Sequence, residues 1–187
     1  MAIIGLDFKK YESRVFDHKG VVLDIGCFGW DWVPEGLKNK KDIIGFDPFE
    51  KSCPSWATLV RKVVANFDGQ AVVYNAKGNA VTASSLIQKK NYVPCGTIQC
   101  VSLQKVIDEY SPISILKMNI EGFEYSLLPS VKHPIADQLI VSFHDNSWTV
   151  MDTVPHKLTT LIVDYLSIWY EVREIFPKCQ WYLFLKK

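Results

Sequence analysis

The chain has 187 residues, 48% hydrophobic and 22% charged, with a formal net charge of +1 at pH 7. That length suits one domain over 1–187 with a substantial core. The near-neutral charge excludes binding driven by a strongly basic surface, so no nucleic-acid partner is signalled.

Five cysteines (Cys27, Cys53, Cys95, Cys100 and Cys179) form no C-x-x-C pair, which argues against a zinc site or a disulfide framework. Residues 1–10 lack the basic start and long apolar core of a signal peptide, and no apolar run is long enough to span a bilayer. A soluble cytoplasmic protein without a membrane partner is the expectation.

Phe8, Tyr11 and Val15 recur at helical spacing and predict a short helix over 7–18. Val21, Val22, Leu23 and Ile25 then surround Asp24 in a run ending at Gly26, the pattern of a strand buried on both faces of a parallel sheet. Residues 31–41 are polar, hold Pro34 and Gly36, and leave little room for a long helix. A second strand carries Ile43 and Ile44 and ends in Asp47-Pro48. Residues 49–58, with Pro54, make at best a broken helix.

Leu59 to Ala65 reads as a third strand, followed by a turn over 66–69 and a short strand over 71–74. The segment 76–96, with Gly78, Pro94 and Gly96, reads as a loop and a lid. Ser102 caps a helix whose Leu103, Val106, Ile107 and Tyr110 share one face, and Ser111-Pro112 stops it. A strand over 113–120, a helix over 122–128 and a strand over 138–144 follow. Leu158, Leu161, Ile162, Tyr165, Leu166 and Trp169 line the clearest helix, and 170–175 with 180–186 form a closing antiparallel hairpin. This order predicts an α/β fold: a doubly wound, Rossmann-like sandwich of about seven strands, with helices on both faces and a C-terminal antiparallel pair.

Asp24, Asp47, Asn119 and His144 stand at the ends of predicted strands, and parallel neighbours bring such ends to the edge where open α/β sheets bind ligands. Gly26 lets the backbone approach a ligand closely. Asp47 follows Asp24 at roughly the 20-residue spacing at which dinucleotide folds place an acid on ribose hydroxyls. The turn Gly26-Cys27-Phe28-Gly29 is not G-x-G-x-x-G, and Phe28 crowds the approach of a phosphate. A cofactor with nucleoside and amino-acid parts but no phosphate fits better. Phe28, Trp30, Phe67 and Trp148 are candidate walls for a nucleoside. His144 is the one histidine of four at a predicted strand end, and imidazole suits proton removal near neutrality.

The block Lys117-Met118-Asn119-Ile120-Glu121-Gly122-Phe123-Glu124, with Asp24-Ile25-Gly26, Asp47-Pro48 and Ser84-Ser85-Leu86 upstream, resembles the FkbM family of S-adenosylmethionine-dependent methyltransferases over roughly residues 20–145. The resemblance implies a class I methyltransferase fold and S-adenosylmethionine as cofactor. It implies that Asp24, Gly26, Cys27 and Phe28 flank the methionine part and that Asp47, with Pro48, holds the ribose. Asn66, Phe67 and Asp68 would then edge the adenine, with Asn119 and Glu121 flooring the site. Trp30 stands where the family usually has glycine, and Asn119 replaces an aspartate; an amide hydrogen-bonds but cannot act as a base.

The function expected is O-methylation of a small molecule or sugar, with His144 as base beside Asp145 and Asn119. No metal is expected, because Asp145 is the only carboxylate among Asn119, Asp145 and Asn146. Two other classes compete: a catalytically inactive module binding S-adenosylmethionine or a partner, and a nicotinamide-dependent oxidoreductase, which the missing G-x-G-x-x-G disfavours.

Overall fold

The computed structural model describes residues 3–6, 9–12, 19–30, 32–33, 35–38, 42–76, 84–88, 92–144, 156–176 and 180–187. β1 (Ile3–Leu6) and β2 (Lys9–Glu12) pair antiparallel. The helix expected over 7–18 is therefore replaced by strand across 9–12. β2 lies beside the strands over 138–142 and 181–186, and such tertiary contact overrides a weak local periodicity. The rest of that expected helix lies outside the described residues.

β3 (Val21–Ile25) leads through a 3-10 turn at Phe28–Trp30 to the single-turn α1 (Glu35–Lys38) and then β4 (Ile43–Phe46). The expected third strand divides into β5 (Thr58–Val60) and β6 (Val63–Ala65), which join different sheets. The break falls where Val60 O accepts from both Asp47 N and Lys62 N, turning the chain between them.

β7 (Gly69–Ala76) and β8 (Tyr92–Ser102) form a long antiparallel hairpin, so 92–96 is strand, not loop. β6 pairs only with Cys100–Ser102 of β8, which leaves the outer part of β8 an edge where Pro94 needs no ladder partner on one side. The register shift at Val73/Tyr74 accommodates Cys95 opposite the join.

The remaining elements are α2 (Leu103–Tyr110), β9 (Ile113–Met118), α3 (Glu124–Leu127) with a 3-10 extension over Leu128–Ser130, β10 (Gln138–Ser142), α4 (His156–Leu166), β11 (Tyr170–Phe176) and β12 (Trp181–Lys186). The main sheet has seven strands in the order β11-β12-β10-β9-β3-β4-β5. β5, β4, β3, β9 and β10 run parallel, and β12 is antiparallel to both β10 and β11. The order in which strands are added reverses between β3 and β9, with β4 and β5 on one side and β9 and β10 on the other, the switch point at which such sheets open a crevice. Among the described residues, no helix is long and apolar enough to cross a membrane.

Strand alternation divides the core. Leu23, Ile25, Ile44, Phe46, Leu116, Met118, Leu139 and Val141 face α2, α3 and α4. Val22, Ile43, Ile115, Ile140, Leu183 and Leu185 face the other way, onto a layer built from Trp30, Trp32, Val33 and Leu37 of α1. α1 is the only described helix on that side, and tryptophans supply much of the cover.

Trp30 takes φ 50, lies at 7% exposure and packs over Gly45, where an added Cβ would sit 2.3 Å from the ring and 2.6 Å from Cys27 Sγ. Its Nε1 donates to Ser52 O at 3.1 Å, and its ring meets Trp56 edge-on at 5.6 Å. Gly45→Ala should therefore lower stability by about 1–3 kcal/mol through overpacking, measured by urea denaturation; an unchanged midpoint would show that the ring can move aside.

Candidate functional site

Parallel register sets Asp24 of β3 directly beside Lys117 of β9. Asp24 is 0% exposed. Its Oδ1 lies 2.8 Å from Lys117 Nζ, and its Oδ2 accepts from Trp32 Nε1. Lys117 Nζ also donates to Gly26 O at 2.6 Å. A buried carboxylate is tolerable only when so paired, and here the pairing ties the ends of β3 and β9 together.

Gly26 completes the knot. Its φ is 80, and a Cβ there would lie 2.0 Å from Asn119 O. Gly26 N donates to Phe46 O at 2.9 Å, and Asn119 N donates to Ile25 O at 3.0 Å. The carboxyl ends of β3, β4 and β9 are thereby held within backbone contact.

Two acids shape the neighbouring loops. Asp47 Oδ1 accepts from Phe49 N at 2.8 Å and Glu50 N at 3.0 Å, closing the turn after β4. Burial pushes its carboxyl above the usual range, against the pull of those two bonds. Its contribution to stability is thus full below the ordinary carboxylate range and is lost as pH rises through the raised value.

Glu50 Oε2 accepts from Gly29 N at 2.6 Å, while Oε1 accepts from Ser52 N at 2.7 Å and Ser52 Oγ at 2.8 Å. Burial works against its charge, but these bonds outweigh it and hold its carboxyl below the usual range. The Glu50 contribution is present at neutral pH and lost as pH falls through that lowered value. Burial, and then the charges of Asp24 and Asp47, push the Cys27 thiol up, keeping it protonated and unsuited to nucleophilic or ligand chemistry.

Above this base opens a cavity of about 200 Å³, more than ten times the space one water needs. Ile25, Phe46, Phe49, Val63, Val64 and Val73 give it apolar walls. Asp47, Lys62, Ser84, Ser85, Lys117, Asn119 and Glu121 give it polar ones. Asn119 Oδ1 is buried with no hydrogen-bond partner, an acceptor that a bound group would satisfy.

On the far wall, Ser85 pairs through backbone with Tyr74 and donates from Oγ to Glu121 O at 3.2 Å. Glu124 is fully buried; its Oε1 accepts from Ile120 N at 2.7 Å and its Oε2 from Gly122 N at 2.8 Å. His144 Nδ1 lies 3.1 Å from Glu124 Oε1, close but without a hydrogen bond's alignment, and Nε2 lies 3.7 Å from Glu121 Oε1. Burial, and then the Glu121 charge, raise the Tyr92 hydroxyl.

A family model described as Methyltransferase FkbM domain matches residues 15–167. The chain belongs to that family. No curated protein matches it. Among solved structures, it is similar to methyltransferase FkbM from Methylobacillus flagellatus KT, at 16% identity and a TM-score of 0.48, over 89% of this chain and 43% of that one. This FkbM domain therefore spans less than half the length of that protein.

Within the FkbM domain, Gly26, Phe28, Asp47, Pro48, Asn119 and Glu121 line the cavity. Asp24 and Cys27 lie beneath it, because strand alternation points Asp24 toward Trp32 and packs Cys27 against Gly45. Asn66, Phe67 and Asp68 stand outside the wall and are exposed. Asp68 is engaged at the start of α2, accepting from Ser102 N at 3.1 Å and Ser102 Oγ at 3.4 Å.

Trp30 belongs to the opposite face of the sheet, so it neither walls nor obstructs the cavity. His144 does not line the cavity; it lies beside Glu121, which does. Asp145 and Trp148 lie outside the described residues. Lys62 and Phe49 join the wall without having been singled out from sequence; a lysine inside the apolar run Ile113–Met118, level with Asp24, is the signal that identifies the ion pair. Among the described residues, no three His, Cys, Asp or Glu side chains are grouped to hold a metal.

Proposed function

We propose that this FkbM domain binds S-adenosylmethionine in the cavity at the switch point and directs its methyl group to an oxygen of a small molecule or sugar. The observation that carries this reading is the pairing of Asp47 and Asn119 on one wall. Asp47 commits one oxygen to its own turn, which leaves the other for ribose hydroxyls, and Asn119 Oδ1 is a buried acceptor suited to an ammonium or hydroxyl donor.

The turn after β3 supports a cofactor without a pyrophosphate. Gly26 N is bonded to Phe46 O, and Gly29 N is bonded to the Glu50 carboxylate, so neither amide is available to a phosphate. Glu50 would also repel one. S-adenosylmethionine, when bound, supplies an electrophilic methyl group on a sulfonium. The chain's own part is to hold the ends of β3, β4 and β9 rigid, so that an acceptor oxygen is presented in line.

Calorimetry tests the reading. S-adenosylhomocysteine is expected to bind in the micromolar range with no comparable binding of NAD, and binding of NAD alone would overturn the assignment. Asp47→Asn keeps an acceptor for Phe49 N and Glu50 N while removing the charge. It should weaken S-adenosylhomocysteine binding by about 1–3 kcal/mol. Its melting temperature at pH 7 should stay level or rise, because the burial penalty disappears. A fall in melting temperature with unchanged affinity would reduce Asp47 to a turn-closing residue.

A further inference from the structure

Glu121 occupies the cavity wall at φ 56, in the left-handed region that non-glycine residues rarely adopt. The turn around it is over-determined. Ile120 N and Gly122 N, on either side, are both bonded to the buried Glu124 carboxylate, and Ser85 Oγ holds the Glu121 carbonyl. Glycine would fill this position without backbone strain. Behind it, His144 is largely buried between two carboxylates. Glu124 faces Nδ1 at 3.1 Å, and Glu121 faces Nε2 at 3.7 Å.

We propose that Glu121 is the catalytic residue that touches the acceptor and that His144 is a positioning residue that orients its carboxylate. This assignment rests on the methyltransferase reading given above. As the acceptor oxygen forms its bond to the methyl carbon, the carbon–sulfur electron pair stays on sulfur, and the acceptor's O–H bond breaks toward the Glu121 carboxylate. His144, held between Glu121 and Glu124, keeps the Glu121 carboxylate in place while it carries that proton. Departure of the product returns the proton to water.

Among the described residues, Glu124 from α3 and Tyr92 from β8 are titratable groups that face the pair; Lys117 of β9, which also lines the cavity, is committed to Asp24. Asn119, as an amide, offers no competing base. The histidine expected from sequence to meet the acceptor thus acts one residue removed from it.

The test is a pH titration of the full chain with ¹³C-labelled histidine followed by NMR, the His144 signal being assigned by its loss in His144→Asn. In Glu121→Gln the His144 midpoint should fall by about one pH unit, because an opposite charge at this distance has been removed. Glu121→Gly should give the same fall while holding or raising the melting temperature, since it relieves the left-handed strain. Saturating S-adenosylhomocysteine should perturb the His144 signal of the wild type. An unmoved midpoint in both variants would overturn the assignment, as would a lowered melting temperature in Glu121→Gly, which would mark the side chain as structural. Calorimetry with S-adenosylhomocysteine on the wild type separates the two levels. Absent binding removes the methyltransferase reading, whereas binding with unmoved midpoints removes only the Glu121–His144 assignment.

Discussion

Lys117→Met is expected to lower stability by about 3–5 kcal/mol, the scale for stranding one partner of a buried ion pair. Asp24 is fully buried, and without the ammonium its carboxylate, bonded to the Trp32 indole, loses its counter-charge. The same substitution frees Gly26 O, which Lys117 Nζ holds at 2.6 Å, so affinity for S-adenosylhomocysteine should fall with stability. Urea denaturation with an unchanged slope is the measurement. Asp24→Asn combined with Lys117→Met should recover a large part of the loss, because neither charge is then left alone. A double variant as unstable as the sum of the singles would show that each residue acts through packing.

Gly26→Ala should be comparably damaging, at about 2–5 kcal/mol, combining left-handed strain with a clash. The obstacle is the backbone carbonyl of Asn119, 2.0 Å from the added Cβ, and no side-chain rotation can relieve it. β3 and β9 would have to part at the cavity floor, and ligand binding should disappear in calorimetry. Gly29→Ala is the internal control. Its φ is 78, close to that of Gly26, but nothing lies within 4 Å of its added Cβ, so it should lose only about 1–2 kcal/mol. Equal losses in the two variants would mean that backbone conformation alone governs this turn.

The strands of the parallel core were legible because their information is local. Runs such as Val21–Ile25 and Gln138–Ser142 are apolar on both faces, and only a strand inside a sheet meets that condition over so short a length. β8 was hidden by Pro94 and Gly96, which mark a loop unless one knows that this part of the strand has a neighbour on one side only. β2 was hidden because two of the strands it packs against, β10 and β12, come from the far end of the chain.

Within the site, the strand-end residues were legible as a group, but the direction of each side chain was not. Trp30 follows a glycine turn and so invites placement beside a ligand. Its real neighbour is Gly45, a gap in the next strand whose meaning emerges only when the two strands lie side by side. His144 stands out in the sequence by its position just beyond β10, while the placement of its neighbour Glu121 depends on a turn built around Glu124.

The pairing of Asp24 with Lys117 has a consequence for how the chain finds its fold. The central strands are chemically alike, and apolar segments of this kind can align in several ways at similar free energy. Slipping β9 by one residue against β3 would set Leu116 or Met118 level with Asp24 and bury two isolated charges on opposite faces. The polar pair thus works as a key in the lock of an otherwise greasy sheet, rejecting misaligned neighbours. Only the accepted alignment brings Gly26 against Asn119 at the base of the crevice.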